Sequence, residues 1–389
     1  MHAAEWLYQI CTTLCVFGCL YTLLARELVR RFGRRTDDAR SESASVTILK
    51  PLYGPEIGLR ENLTTFCRQD YRAPVQIIFG LRSPDDPAAG VVRELQAEFP
   101  DLNLRLVIDE TQHGSNRKVS SLINMARYIE HDVVVLADSD VAVQSNYLQR
   151  LCGALEQPGV GLVTCLYRGI YTGTLWSRLA CMGLEFHFLP SVVVGLAVGL
   201  AEPCLGPTMA LRRETLAAIG GFKTLADQLA DDYALGAEVT KLGLRIEFPA
   251  FLIGHNCPER SFGELFRHEL RWARTIFRID PVGFIGAGVT HPLPWALLAA
   301  LLRGFDLWGY TLVALALACR LWLQAGVARA IGLSTALLPL APLRDMISFF
   351  VYLACFLGSR VDWRGQSYQV DRKGTMTPSG VSEIRKSAL

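Results

Sequence analysis

Val133-Val134-Val135-Leu136-Ala137-Asp138-Ser139-Asp140 is the stretch on which the fold turns. Five apolar residues in a row, rich in β-branched side chains, read as a strand buried on both faces. The run then stops in two carboxylates with one spacer. In extended backbone, residues two apart point to the same side. Two carboxylates on one side are hard ligands for Mg2+ or Mn2+, and such a metal is usually shared with a substrate diphosphate. The stretch points to a site for a sugar nucleotide. The competing reading is a plain turn, where Asp and Ser are common.

Working outward, Val46–Leu49, Val75–Leu81 and Leu104–Ile108 read as further short buried strands. Residues 56–68, 88–99 and 118–129 between them have helical periodicity. Strands alternating with helices predict a parallel sheet with helices on both faces, and such sheets bind ligands beyond the carboxyl ends of their strands. The polar residues just after the strands are therefore the candidates. Ser83-Pro84-Asp85-Asp86-Pro87 offers a carboxylate for a base or ribose hydroxyl, or for capping the next helix. His113-Gly114-Ser115-Asn116-Arg117-Lys118 offers glycine backbone and two cations near a helix start, suited to phosphate or to solvent.

Further on, Ala230-Asp231-Asp232-Tyr233 sets two carboxylates side by side. One fits a helix cap. The other is a candidate general base for a hydroxyl that attacks an anomeric carbon. In His268-Glu269-Leu270-Arg271-Trp272, residues His268, Arg271 and Trp272 share a helical face. A guanidinium there can clamp a diphosphate leaving group. A helix lying at a charged membrane surface would carry the same residues.

The 389 residues are 51% hydrophobic, with a mean hydropathy of +0.25, more apolar than a typical soluble protein. A net charge of +2, with no basic strip interleaved with aromatics, gives no support to a nucleic-acid partner. The 11 cysteines form no C-x-x-C pair and no zinc spacing. They read as free thiols, with Cys11, Cys15 and Cys19 as small side chains on one helix face. Residues 5–25 are long and apolar enough to span a bilayer, and Arg26, Arg30, Arg31, Arg34 and Arg35 come directly after them. That arginine cluster places the adjoining polar domain in the cytoplasm. Residues 293–302, 305–323 and 331–357 predict two or three more membrane helices. The run from Phe188 to Ala201 has 14 residues, too few to span, and reads as an interfacial, re-entrant or buried segment. Arg360, Arg364, Arg372 and Lys373 favour a cytoplasmic tail. The expected organisation is a membrane anchor with basic flank (1–35), a linker (36–45), a cytoplasmic α/β domain with interfacial helices (46–290), membrane helices (291–358) and a polar tail (359–389).

The order Asp86, Asp138-Ser139-Asp140, Asp232 and His268-x-x-Arg271-Trp272 resembles the processive and lipid-directed inverting glycosyltransferases. Those carry a D, D, D, (Q/R)-x-x-R-W pattern on a GT-A, Rossmann-like nucleotide-diphospho-sugar transferase fold. The nearer resemblance is to the ceramide glucosyltransferase family, through Ile48-Leu49-Lys50-Pro51-Leu52, Asp85-Asp86-Pro87-Ala88, Asn116-x-Lys118, Asp231-Asp232-Tyr233 and Trp363-Arg364-Gly365-Gln366-Ser367-Tyr368. Within it, Phe66-Cys67-Arg68-Gln69-Asp70-Tyr71 and residues 161–169, 226–236 and 268–275 are most similar to the bacterial hopanoid-biosynthesis branch.

The resemblance implies roles. Asp86 would contact uridine, and Lys118, Asp138, Arg271 and Trp272 would hold the donor. Asp138 and Asp140 would bind a divalent cation, Mg2+ or Mn2+. Asp232 would be the base. His187, His268 and Trp272 would serve the acceptor or leaving group, with His268 standing where the broader pattern has Gln or Arg. The donor would be a UDP-sugar, the acceptor a hopanoid or ceramide lipid, and the location a bacterial cytoplasmic membrane with the catalytic domain facing the cytoplasm. The few C-terminal helices argue against a polymer channel. The full set of carboxylates argues against a catalytically dead scaffold.

Overall fold

A computed structural model describes residues 2–35, 39–199, 204–358, 361–363, 366–370 and 375–378. It resolves into two compact units. One comprises residues 1–35, 173–201 and 259–365; the other comprises 36–172, 202–258 and 366–389. Segments 173–201 and 259–290, expected within the α/β domain, thus group with the apolar helices. Of the tail residues quoted in the sequence, Arg360, Arg364, Gly365, Arg372 and Lys373 lie outside the described residues.

The second unit is built on a seven-stranded sheet. In chain order its ten principal strands are β1 (Val46–Pro51), β2 (Val75–Leu81), β3 (Asn103–Ile108), β4 (Val133–Ala137), β5 (Val141–Ala142), β6 (Val160–Thr164), β7 (Leu166–Tyr171), β8 (Thr208–Arg212), β9 (Arg245–Glu247) and β10 (Leu252–Cys257). The large sheet runs β3-β2-β1-β4-β8-β6-β9. β3, β2, β1 and β4 are parallel, as the alternating pattern predicts, while β8 runs antiparallel to both β4 and β6. The sheet is therefore mixed. From β1 the chain winds outward to β2 and β3, then returns to place β4 on the other side of β1. That reversal opens a crevice beyond the carboxyl ends of β1 and β4. All five residues of β4 are buried, with Val134 and Leu136 packed among Leu49, Ile78, Leu122, Met125, Leu211 and Leu235. Each such side chain contributes about 1.5–3 kcal/mol on burial.

Helices of this unit are α2 (Leu59–Cys67), α3 (Ala88–Glu98), α4 (Arg117–Ala126), α5 (Tyr147–Leu155), α8 (Arg213–Ala218) and α9 (Asp231–Lys241). A second sheet, β5-β10-β7, pairs β10 antiparallel to β5 and parallel to β7.

The first unit is helical: α1 (His2–Phe32), α6 (Leu175–Gly183), α7 (Leu189–Ala197), α10 (Phe262–Ile279), α11 (Pro281–Gly286), α12 (Pro292–Leu302), α13 (Leu307–Ala330) and α14 (Ala341–Cys355). Among the described residues, four helical stretches are long and apolar enough to cross a membrane: Ala3–Phe32, Leu175–Ala197, Leu307–Ala330 and Leu338–Cys355. The pair Pro281–Thr290 and Pro292–Leu302, bent by 67°, would make a fifth if it is one broken span. The segment read as too short begins earlier than its apolar run. α6 continues through a π-helical turn, Leu184–Phe188, into α7, so the helix has 23 residues.

Cys11, Cys15 and Cys19 are buried against Leu293, Ala296, Ala299 and Ala316, and every cysteine is a free thiol. Small side chains let these helices approach closely. A Cβ on Gly18 would come within 2.6 Å of the Val289 carbonyl.

Candidate active site

The Asp138-Ser139-Asp140 triplet leaves β4 into a turn rather than continuing extended. Alternation along a strand therefore does not govern its side chains, and the two carboxylates take different partners. What fixes the triplet is its backbone. The Asp138 carbonyl accepts from Lys50 Nζ at 2.6 Å, the Ser139 carbonyl from Asn62 Nδ2 at 3.3 Å, and the Asp140 carbonyl from the Asn256 amide at 2.9 Å. Three elements, β1, α2 and β10, each hold one residue of the turn.

Lys50 and His255 are residues that pattern reading left without a role. Lys50 is fully buried at the end of β1, with Nζ 3.7 Å from the centre of the Phe66 ring. Burial pulls its ammonium down to about 7, partly opposed by Asp138, Asp140 and Glu56. His255 sits on β10 in register with Val141, immediately after the triplet. Its Nε2 lies 3.4 Å from Asp140 Oδ2, and Tyr167 packs on its ring at 5.4 Å.

Lys118 binds the second cluster together. Its Nζ lies 2.8 Å from Asp138 Oδ1 and 3.4 Å from Asp231 Oδ2. Its position comes from the preceding loop. Asn116 caps α4 through Val119 N and donates from Nδ2 to the Gln228 carbonyl at 2.9 Å. The Ser115 amide donates to Asp227 Oδ1 at 2.8 Å, and a Cβ on Gly114 would strike the Ala226 carbonyl at 2.5 Å. The 113–118 loop is thus locked to the 226–231 loop, which brings Lys118 to the two aspartates. Burial opposes the Lys118 charge, but Asp138 and Asp231 outweigh it and hold the ammonium well above its usual range.

Asp232, in the first turn of α9, accepts from the Tyr233 amide at 2.8 Å. The helix cap itself falls on Ala230, so neither aspartate is spent there. Burial first, then the charge of Asp231, raises the Asp232 carboxyl to about 6, with Lys118 working in the opposite direction. Its Oδ2 packs on Gly206, where a Cβ would come within 2.9 Å.

Asp86 stands apart from these residues in its bonding. Both oxygens accept from the Gly54 amide, at 3.1 and 2.9 Å, and Oδ1 also accepts from Ala88 N at 2.9 Å. It ties the loop after β1 to the first residue of α3, although the cap position of that helix is Pro87 and no side chain caps it. His268, Arg271 and Trp272 lie on α10 in the helical unit. Ser261 caps that helix, accepting from Glu264 N, while the Glu264 carboxylate accepts from the Arg260 amide. His268 Nδ1 is 2.6 Å from Glu259 Oε1, and its ring meets Trp272 edge-on at 4.6 Å. Arg271 and Trp272 are half-buried. His187, in the π-helical turn, is engaged by Asp345 and Arg320.

A divalent cation finds a partial donor set in the α/β unit. Asp140 Oδ1 is buried without a hydrogen-bond partner, and its other oxygen faces the His255 imidazole. Among the described residues, no three His, Cys, Asp or Glu side chains gather into a complete cage. Carboxylates suit Mg2+ or Mn2+ when substrate oxygens and water complete the shell, and an imidazole in the set favours Mn2+ over the harder Mg2+.

The chain matches glycosyl transferase family 21 over residues 10–376. It belongs to that family. The Caenorhabditis elegans ceramide glucosyltransferase 3 is 20% identical over 383 residues, covering 92% of this chain and 80% of the relative. An N-acetylglucosaminyltransferase of Rhizobium leguminosarum bv. viciae is 21% identical over 245 residues, covering 60% and 56%. Among solved structures, the mannosyltransferase PcManGT of Pyrobaculum calidifontis, in complex with GDP-Man and Mn2+, aligns with a TM-score of 0.54 at 21% identity, covering 90% of this chain and 99% of that one. That likeness shows a GT-A-like α/β fold. This family 21 chain is a glycosyltransferase, and the expected fold class holds.

Proposed function

We propose that the protein is a membrane-bound inverting glycosyltransferase that moves N-acetylglucosamine from UDP-N-acetylglucosamine to a hydroxyl of bacteriohopanetetrol, as a hopanoid biosynthesis-associated enzyme of a bacterial cytoplasmic membrane. The observation that carries the chemistry is the raised Asp232 carboxyl beside the Lys118–Asp138–Asp231 cluster, in a unit of glycosyltransferase fold. A carboxyl near 6 is an effective base at neutral pH. In this reading Asp232 takes the proton of the acceptor hydroxyl as its oxygen bonds to the anomeric carbon. The bond from that carbon to the diphosphate oxygen breaks on the opposite face, and UDP departs with the electron pair. One displacement inverts the anomeric centre.

Asp138 and Asp140, joined by His255, would hold the divalent cation, Mg2+ or Mn2+, which when bound supplies positive charge to the leaving diphosphate. Lys118 orients Asp138 and meets the donor diphosphate. Asp86, held by the Gly54 amide, contacts uridine in this reading. Arg271 and Trp272 clamp the leaving group, and His268, fixed by Glu259, orders that helix face. His187 serves the acceptor. The arginines that end α1 face the cytoplasm with the 46–290 domain.

The second reading is a ceramide glucosyltransferase using UDP-glucose, favoured by the ceramide glucosyltransferases among the relatives. The test is turnover of purified protein with bacteriohopanetetrol or ceramide, each paired with UDP-N-acetylglucosamine or UDP-glucose, read by mass spectrometry. Product from the hopanoid with UDP-N-acetylglucosamine alone is the expected result. Product from ceramide with UDP-glucose moves the enzyme to the second reading.

A further inference from the structure

We propose that the helical unit contains a built subsite for a neutral, hydroxylated lipid headgroup, formed by His187, His291, Arg320, Gln324 and Asp345. The identity of the ligand rests on the lipid-acceptor reading of the proposed function; the subsite itself rests on geometry. Arg320 and Asp345, on α13 and α14, are 1% exposed. Arg320 donates from Nε to Asp345 Oδ2 at 2.8 Å and from a terminal nitrogen to Oδ1 at 2.7 Å. The same nitrogen lies 2.7 Å from His187 Nε2, which is also 2.8 Å from Asp345 Oδ1. His291 stacks on His187 at 5.8 Å. Ionisable side chains within apolar helices are costly, and where they persist they commonly mark a site. The π-helical turn that carries His187 is a second such marker.

The pair alone would serve as a structural tie. Its surroundings ask for more. Gln324, one turn beyond Arg320 on the same face of α13, is fully buried, and neither amide atom has a hydrogen-bond partner. His291 Nδ1 and Ser348 Oγ, the latter one turn beyond Asp345, are buried in the same condition. Buried polar groups without partners destabilise a fold, so an apolar residue at each position would be the more stable choice. Together they offer donors and acceptors, which hydroxyl groups match in both directions. The Arg320 guanidinium is already neutralised by Asp345 in a two-point contact, and the neighbouring Arg344 is paired with Glu269, which disfavours an anionic headgroup.

The test uses the full chain in detergent with Gln324→Leu and His291→Phe. Thermal stabilisation by bacteriohopanetetrol and by its tetra-acetate is measured, beside acceptor and donor KM. Expected are stabilisation of the wild type by the free polyol and not by the acetate, and loss of that stabilisation in both variants. Acceptor KM should rise at least tenfold, with donor KM within twofold and a melting temperature equal to or above wild type. Variants that keep wild-type acceptor KM and polyol stabilisation overturn the subsite. So does a fall in melting temperature with donor and acceptor KM shifting together, which marks a packing role. Polyol stabilisation lost in the variants, in an enzyme that glycosylates no hopanoid, would uphold the subsite while refuting the proposed function.

Discussion

The two units treat buried charge in opposite ways. In the α/β unit charge is left unbalanced: Lys118 faces Asp138, Asp231 and Asp232, and burial, together with the charge of Asp231, raises the Asp232 carboxyl. In the helical unit charge is closed: Arg320 and Asp345 neutralise each other in two hydrogen bonds, and Arg344 pairs with Glu269 at 2.8 Å. A surplus suits a place where a cation and a proton must come and go. A closed pair suits an apolar surround, where an uncompensated charge is expensive.

The largest effect should come from removing the proposed base. Asp232→Asn is expected to lower kcat by about 10²–10⁴-fold, with donor binding kept. Steady-state turnover and UDP-sugar titration check it, and an active variant would break the contrast at its centre. Next, Arg320→Met leaves Asp345 buried with only the His187 imidazole beside it and should cost about 3–5 kcal/mol of stability. The double variant Arg320→Met, Asp345→Leu should recover most of that loss in denaturant unfolding. Gly206→Ala places a methyl against Asp232 Oδ2 and should reduce kcat by about 10²-fold through misplacement of the proposed base, with donor KM little changed. The smallest effect is His255→Phe, which keeps the stack on Tyr167 but loses the imidazole beside Asp140. The Mn2+ concentration for half-maximal activity should rise about 10–100-fold.

The parallel half of the sheet was legible because β1, β2 and β4 are nearly continuous apolar runs. Asp138 and Asp140 were legible because charge stops such a run abruptly. Their geometry was not, because the chain turns there and the fixing groups come from far away: Lys50 lies 88 residues from Asp138. His255 gave no signal, being a buried polar residue beside Asn256 in a short strand with no motif spacing. The helix from Leu175 to Ala197 was hidden because Glu185 and His187 interrupt its apolar run, although Glu185 is only 4% exposed. Arg320 and Asp345 stand 25 residues apart in separate apolar segments. Only the packing of α13 against α14 makes them a pair.

The assignment of Asp232 is tested most directly by the pH dependence of kcat/KM for wild type and Asp232→Asn. A base whose proton is held near 6 should make the wild-type value fall tenfold per unit below about pH 6 and level off above it. The residual activity of Asp232→Asn should lack that limb. An unchanged acid limb in the variant would contradict the assignment.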